Sequence, residues 1–273
     1  FDRQLGRMLA ILEESHELEN TVVIVASDNG MPFPRAKANL YEYGTHMPLA
    51  IRWPGKVPRD RVVDDFVGHI DIAPTILEAA RVDAPSSMVG RSLVPILRTA
   101  GSGQIDPSRN RIDFARERHS SARAGNRGYP GRALRNGEFL YIRNFAPDRW
   151  PAGDPAGGDD APYGFYDIDA SPSKAFLIEH RDDPTFSRFF RIAMEFRPRE
   201  ELFDLRKDPA AIQNVAASPR YAGDLQRLRE EMDRRLTETN DPRILGEGER
   251  FEGYPYYLRI KFKGQTPSPS TKR

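Results

Sequence analysis

A short apolar run near the N-terminus constrains the fold more than any other feature. Residues 21–26 are β-branched apart from the last and are too few for a buried helix, so they predict a strand covered on both faces. An amphipathic helix is predicted just before it, from about Asp2 to Ser15, because its apolar residues recur at helical spacing. A helix that leads into a buried strand is the repeating unit of doubly wound α/β sheets, which bind ligands beyond the C-terminal ends of their strands. Asp28 and Asn29 occupy that place.

The composition excludes several classes of protein. Lys and Arg number 41 against 40 Asp and Glu, so the net charge of +1 offers no basic field to nucleic acid or an anionic membrane. The chain has no Cys, which excludes disulfides, Cys-ligated zinc, iron–sulfur clusters and a thiol nucleophile. No stretch reaches the ~18 apolar residues of a membrane span, so we expect no membrane-spanning helix in this sequence. The chain opens at Phe1 directly in a predicted helix, so we expect an upstream part to be missing from it.

The sequence predicts two domains of different texture. A second strand over Pro48–Trp53 and a helix over Asp71–Ala80 continue the α/β pattern, and a Gly- and Ser-rich linker over 100–108 then indicates a boundary. We predict a partial doubly wound, mostly parallel sheet over residues 1–105. A smaller α+β subdomain that contributes to the substrate cleft is predicted over residues 106–273.

The second half predicts an antiparallel sheet followed by a terminal helix. Residues Arg132–Phe145 predict a hairpin with Asn136-Gly137 as its two-residue turn, and residues 201–205 predict another strand. Residues Tyr221–Leu236 predict a highly charged helix with four apolar side chains on one stripe.

Two adjacent oxygen-bearing side chains form the first candidate site. At the end of a buried strand, Asp28 and Asn29 can supply hard oxygen ligands to Ca²⁺ or Mg²⁺. The alternative is an Asx turn in which Gly30 takes a positive φ. Lys37, in the loop that follows, could contact an anionic tetrahedral group as a point charge, or it could be a solvated cation. His46 also has two possible roles, because it could contact a substrate or form a hydrogen bond within a turn.

The order of the motifs resembles that of a known family. The chain is similar to the second part of the catalytic domain of type I sulfatases, members of the alkaline phosphatase superfamily, in five motifs: SDNG, Lys37 in a short loop, YEYGTHMPLAIRWPG, DIAPTIL and GRSLVPIL. It resembles the C-terminal subdomain of the sulfamidase (heparan N-sulfatase) branch in two longer segments, ERHSSARAGNRGYPGRALRNGEFLYIRNFAPDRWPAGDP and ELFDLRKDPAAIQNVA. The resemblance covers residues 2 to about 245 and implies an alkaline phosphatase-like fold.

The resemblance implies roles for three residues. Asp28 and Asn29 match the family's late pair of calcium ligands, and Lys37 matches the basic residue that contacts the sulfate group. In such enzymes a formylglycine hydrate, made from Cys or Ser, attacks sulfur while the metal and nearby cations polarise the sulfuryl group. The segment that bears formylglycine and the early Asp ligands lie upstream in the family and are absent from this sequence. We therefore expect about half of the metal site, no nucleophile and no turnover by this chain alone.

A charged segment after the linker supplies further candidates. In the sulfamidase-like branch a His-containing segment at this place lines the sugar pocket, so the resemblance implies substrate contacts for Glu117, Arg118 and His119. A self-paired charge cluster beside a strand is the equal alternative. His69 and Asp71 could also be a pair of ligands. A structural role is preferred for them, because Asp71 lies near the N-terminus of a predicted helix, where a negative charge is favourable.

Three functions stay open. The leading hypothesis is a sulfatase that acts on sulfated saccharides, with the N-sulfoglucosamine of heparan-type chains as its substrate, and it rests on the resemblance. A phosphoesterase or phosphonate hydrolase of the same superfamily could use the same oxygen ligands, because phosphate and sulfate are both tetrahedral. A non-catalytic saccharide-binding protein would keep the fold without the nucleophile. The resemblance also implies a periplasmic or otherwise extracytoplasmic location, and a homodimer stays open.

Overall fold

The described part of the chain forms two compact units. The computed structural model describes residues 1–156 and 164–256. The first unit consists of Phe1–Asp28 and Pro48–Ile112, and the second unit consists of Asn29–Met47 and the described residues of Asp113–Arg273. The units interleave along the chain, and the division into domains at residue 105 stays a prediction.

Both units contain helices and strands. The α-helices of the described ranges are α1 (Asp2–Glu14), α2 (Glu42–Thr45), α3 (Ile72–Ala79), α4 (Val94–Leu97), α5 (Pro172–Glu179), α6 (Ser187–Met194) and α7 (Ala222–Glu238). The strands are β1 (Val23–Ala26), β2 (Leu49–Arg52), β3 (Arg111–Arg116), β4 (Gly131–Asn136), β5 (Phe139–Asn144) and β6 (Glu200–Asp204).

The first unit contains a two-stranded sheet whose direction corrects an expectation from the sequence. β1 pairs with β2 in antiparallel register, from Val23 opposite Arg52 to Ala26 opposite Leu49. The sequence predicts a mostly parallel sheet here, and this described pair differs from it. An apolar run indicates which faces of a strand are covered, but it carries no information about the direction of the neighbouring strand. β1 is also only half-buried along most of its length.

Helix α1 forms where the helical spacing of apolar residues predicts it. None of its residues is buried within the described structure, and Met8 and Ile11 are both 63% exposed. No helix within the ranges 1–156 and 164–256 is both long enough and apolar enough to cross a membrane.

A buried ion pair fixes the start of α3. Asp71 accepts hydrogen bonds from the backbone amides of Gly68 (3.2 Å) and Arg91 (2.7 Å) and from Nη1 of Arg109 (2.8 Å). Both charged side chains are buried, and the Arg109 guanidinium also donates to the carbonyl oxygens of Arg91 and Ser92. Asp71 thus has a structural role, as expected, but its carboxylate bonds to Gly68, Arg91 and Arg109 and to no backbone amide of α3.

Replacing Asp71 should destabilise the protein strongly. Asp71→Asn leaves the Arg109 charge buried without its carboxylate, which costs about 3–5 kcal/mol in comparable sites. Urea unfolding followed by circular dichroism measures this change. Asp83→Asn, at an exposed position without a described partner, is the matched control. Equal unfolding midpoints for the two variants would contradict this account of α3.

The second unit is built on a four-stranded sheet with the order β3-β4-β5-β6. β4 and β5 form the predicted antiparallel hairpin, with Gly131 opposite Asn144 and Arg135 opposite Leu140. The two connecting residues are 137–138, one position later than predicted. Oδ1 of Asn136 accepts the amide hydrogens of Glu138 (3.0 Å) and Phe139 (2.9 Å), so a side-chain Asx turn closes this hairpin.

The two faces of this sheet are covered by different parts of the second unit. The predicted apolar stripe of α7 is confirmed, because its four stripe residues are all buried against one face of the sheet. Full burial of such side chains stabilises a fold by about 1.5–3 kcal/mol each. On the other face, Leu40 and Tyr41 pack against β4, β5 and β6. The loop that contains Lys37 is thereby part of the core of the second unit.

Candidate functional site

A buried hydrogen-bond network anchors the loop 29–47 within the second unit. The Tyr41 hydroxyl donates to Oε2 of Glu201 (2.7 Å), and Nδ2 of Asn144 donates to Oε1 of the same carboxylate (2.8 Å). Nη2 of Arg197 donates to Oδ1 of Asn39 (2.7 Å). Burial raises the pKa of Tyr41 well above its ordinary value, with Arg197 opposing this change. Tyr41 therefore stays protonated at neutral pH, as its donation to Glu201 requires.

The start of the same loop is held by close backbone packing at Gly30. A Cβ atom there would lie 2.4 Å from the Tyr43 carbonyl oxygen and 2.8 Å from Cα of Gly44. Gly30 does not have a positive φ, so the close approach, and not the turn conformation expected from the sequence, explains the glycine.

Lys37 lies between these two fixed points, and its ammonium group is held in place. Its backbone amide donates to the carbonyl oxygen of Met31 (3.0 Å), and Nζ lies 2.9 Å from Oδ2 of Asp169. About 30% of the Lys37 side chain is exposed. The ammonium is therefore oriented by a carboxylate and still accessible, as a group that contacts an anion must be.

The segment that carries Asp169 is itself well supported. Phe165 and Ile168 are buried in a cluster with α6, and Nζ of Lys174 donates to the carbonyl oxygen of Ile168 (3.0 Å). Ser171 caps α5, because its hydroxyl oxygen accepts the Lys174 amide hydrogen (3.2 Å).

Arg35 has a different role from that of Lys37. Its guanidinium lies 3.5 Å from the centre of the Tyr41 ring and donates to the carbonyl oxygen of Ala211. Burial lowers the pKa of Arg35 from its ordinary value. This cation stabilises the packing of the loop on the sheet, which leaves Lys37 as the accessible cation of the pair.

Asp28 and Asn29 supply oxygen atoms of the kind that Ca²⁺ and Mg²⁺ prefer. Asp28 is exposed and has no partner among the described residues, whereas Asn29 is half-buried and does interact. The described ranges contain no group of three or more His, Asp or Glu side chains that could hold a metal ion. The oxygen atoms of Asp28 and Asn29 are therefore of a type that binds a hard divalent cation. Two side chains alone are too few ligands for such a cation.

His46 is a highly exposed candidate. Its side chain is 82% exposed, and Nδ1 lies 3.7 Å from Oε2 of Glu42. Glu42 is engaged in turn by Nε of Arg135 (3.0 Å). A substrate contact by His46 stays a prediction.

Glu117 and Arg118 both have structural partners. The Glu117 carboxylate accepts from Nη2 of Arg132 (2.8 Å) and Nη2 of Arg243 (2.6 Å). Arg118 donates to the carbonyl oxygens of Asn126 and Tyr254. The structure thus gives each residue partners outside the segment 117–119, and a substrate contact by either residue stays a prediction.

His119 has a partner that the sequence did not reveal. Nδ1 of His119 lies 3.3 Å from Oδ1 of Asp167, which also accepts from the hydroxyl of Ser120 (2.7 Å). Oδ2 of the same carboxylate lies 2.6 Å from Nη2 of Arg116 and 2.7 Å from Nη2 of Arg123. All these groups except His119 are buried. Asp167 stands 48 residues beyond His119 in a segment without a motif, so no sequence signal joins the two.

Around Asp167 the buried positive charges outnumber the single negative charge of its carboxylate. Burial alone would raise the pKa of Asp167, but Arg116, the His119 hydrogen bond and Arg123 outweigh it and hold that pKa well below its ordinary value. Burial lowers the pKa of Arg116 to about 10 against the opposing charge of Asp167. Two buried guanidinium groups thus share one carboxylate. Three of their nitrogen atoms, and the hydroxyl of Tyr129, have no hydrogen-bond partner within the described structure.

Comparison with known sequences identifies relatives over nearly the whole chain. The family model described as N-sulphoglucosamine sulphohydrolase, C-terminal, matches residues 35–114. An ulvan-active sulfatase from Formosa agariphila is 28% identical over 262 residues, which is 91% of this chain and 38% of that protein. Human N-sulphoglucosamine sulphohydrolase is 29% identical over 253 residues, 88% of this chain and 46% of that protein. The chain thus spans less than half the length of these two relatives.

A solved structure confirms the fold expected from the sequence. The protein crystallised with its substrate D-glucosamine-2-N,6-O-disulfate matches with a TM-score of 0.62 and 22% identity, over 89% of this chain and 40% of that one. At this identity the likeness shows the fold alone. The α/β fold class predicted from the sequence motifs is therefore confirmed.

The anchor of the Lys37 loop can be tested with two tyrosines. Tyr41→Phe removes the hydroxyl that donates to Glu201 and should lower the free energy of unfolding by about 1–3 kcal/mol. Hydrogen exchange of the backbone amides of residues 30–45 should also become faster. Tyr43→Phe is the control, because Tyr43 is 59% exposed and has no described partner. Identical exchange rates in the two variants would rule out the anchoring role.

The Asp167 cluster predicts a characteristic dependence on pH. Because the pKa of Asp167 is lower in the folded protein than in the unfolded chain (~3.9), its contribution is complete at neutral pH and declines as the pH falls below that value. Asp167→Asn should be less stable by about 3–5 kcal/mol at pH 7, and the difference from wild type should shrink by about 1 kcal/mol at pH 3. Urea unfolding at both pH values measures it. Asp182→Asn, whose side chain is 93% exposed, should match wild type at both. A difference that grows on acidification would contradict the assignment.

Proposed function

We propose that this chain, which is related to the sulfatases over about nine-tenths of its length, forms the C-terminal part of a sulfatase that acts on sulfated saccharides. The observation that carries the proposal is the match of nearly the whole chain to two sulfatases, one of them N-sulphoglucosamine sulphohydrolase. The N-sulfate of glucosamine in heparan-type chains is the substrate that this relationship favours. An extracytoplasmic location is part of the same proposal.

The residues of the loop after β1 would act on the sulfuryl group. The adjacent Asp28 and Asn29 would supply two oxygen ligands to Ca²⁺, or to Mg²⁺. Such a cation, when bound, polarises the sulfuryl oxygen atoms. Lys37 would place its ammonium on a sulfate oxygen as a fixed point charge, held by Asp169. The nucleophile of the full-length protein would be a formylglycine, since the segment that bears it in the sulfatase family is absent from this sequence.

The remaining candidates would bind the saccharide. Among them His119 has the favoured geometry, because its ring is oriented by Asp167 and partly exposed. Glu117 and Arg118 are already engaged by other side chains and carbonyl groups, so their contribution would be to hold in place the segment that carries His119. His46 is exposed enough to reach a ligand.

The function is tested with the full-length protein and two chromogenic substrates. We expect turnover of nitrophenyl sulfate to exceed that of nitrophenyl phosphate. Lys37→Gln should lower kcat/KM by about 100-fold, which is the usual loss when one electrostatic donor to a developing negative charge is removed. Lys56→Gln is the control, because Lys56 is exposed and its side chain has no described partner.

Three outcomes would contradict this proposal. Preferred turnover of the phosphate would favour the phosphoesterase alternative. Binding of a sulfated saccharide without turnover of either compound would favour a saccharide-binding protein. Unchanged kinetics in Lys37→Gln would remove Lys37 from the site.

A further inference from the structure

We propose that Asp167 is a positioning residue that fixes His119 in the tautomer with its proton on Nδ1. The other ring nitrogen, Nε2, then accepts a hydrogen bond from a free hydroxyl group of the saccharide. This inference rests on the proposed function for its ligand. The tautomer of His119 is a property of the chain itself and does not depend on that function.

The proton on Nδ1 follows from the chemistry of its partner. An ionised carboxylate can only accept hydrogen bonds, so the nitrogen that faces it must donate. Asp167 is 2% exposed and is paired with two guanidinium groups, and its low pKa keeps it ionised. The Nδ1···Oδ1 contact of 3.3 Å is therefore a donation from His119 to Asp167.

The carboxylate cannot turn away from the ring. Arg116 and Arg123 occupy Oδ2, and the hydroxyl of Ser120 shares Oδ1 with His119. Rotation of the carboxylate would break all of these charge-assisted bonds inside the protein. The His119 ring is thus held by a rigid partner, in the way that a second layer of residues orients a metal-bound or catalytic histidine.

The opposite edge of the ring is available to a ligand. The His119 side chain is 32% exposed, and Nε2 has no hydrogen-bond partner within the described structure. In a neutral imidazole that donates from Nδ1, Nε2 is an acceptor. Sugar hydroxyls can donate to it, whereas sulfate oxygens only accept. His119 therefore selects a saccharide with a free hydroxyl at the facing position and disfavours one that is sulfated there.

The tautomer is measured directly by nitrogen-15 NMR of the histidine side chains at pH 8. We expect His119 to carry its proton on Nδ1, with the signal assigned by its loss in His119→Gln. In Asp167→Asn the new amide can donate to Nδ1, and the proton should move to Nε2. A wild-type proton on Nε2 would overturn the inference, whatever the enzyme's substrate. The wild-type measurement also stands alone if Asp167→Asn does not fold.

Two substitutions of His119 test the roles of Nδ1 and Nε2 separately, because Asn and Gln differ in length. Asn can replace Nδ1 as the donor to Asp167 but ends short of Nε2, whereas the longer Gln can present an acceptor near the Nε2 position. In the full-length protein, His119→Asn should raise KM for glucosamine N-sulfate about tenfold, the loss of one net hydrogen bond. His119→Gln should stay within about threefold of wild type. The effect of His119→Asn on KM should be smaller for nitrophenyl sulfate, which has no sugar hydroxyl, than for glucosamine N-sulfate.

The kinetic results also distinguish this inference from the proposed function. His16→Gln, an exposed position without a described side-chain partner, is the control. Equal effects of Asn and Gln, or equal effects on both substrates, would overturn the role of Nε2. If neither substrate is turned over, the proposed function fails and the saccharide contact fails with it. The NMR measurement then still decides whether Asp167 positions the ring.

Discussion

The buried carboxylate of Glu201 is the group on which the candidate site of the second unit most depends. It accepts one hydrogen bond from Tyr41 and one from Asn144, so it joins the loop 29–47 to the middle of the sheet. A buried carboxylate without donors is costly, and the loop and the sheet therefore require each other. Lys37 owes its fixed position to this network on one side and to Asp169 on the other.

In the second unit the side chains of Arg35 and Arg116 have a different environment from that of Lys37. Arg35 is half-buried and Arg116 is buried. Each lies near a tyrosine ring and donates to a carbonyl oxygen, and Arg116 also donates to the Asp167 carboxylate. Their planar, delocalised charge tolerates such sites better than an ammonium does. Lys37 keeps a compact charge at the surface, beside a single carboxylate. Lys37 thus differs from these two arginines in keeping its charge partly exposed, whereas Lys174 of the same unit is buried and donates to the Ile168 carbonyl oxygen.

The sequence predicts what is periodic or local and misses what is distant. The helix α7 and the β4–β5 hairpin follow from spacing, and Lys37 follows from its place after a strand and from the family resemblance. Asp167 and Asp169 could not be predicted, since they meet His119 and Lys37 across 48 and 132 residues. The direction of β1 relative to β2 was also beyond reach, because an apolar run does not encode the direction of its neighbour.

The interleaving of the two units has a consequence for synthesis of the protein. During translation the loop 29–47 precedes its anchor Glu201, which follows Tyr41 by 160 residues. At about 5–20 residues per second, roughly 8–32 s pass before the two can meet. During that interval Leu40 and Tyr41 lack the β6 surface against which they pack in the folded protein, so the core of the second unit cannot close before β6 is translated.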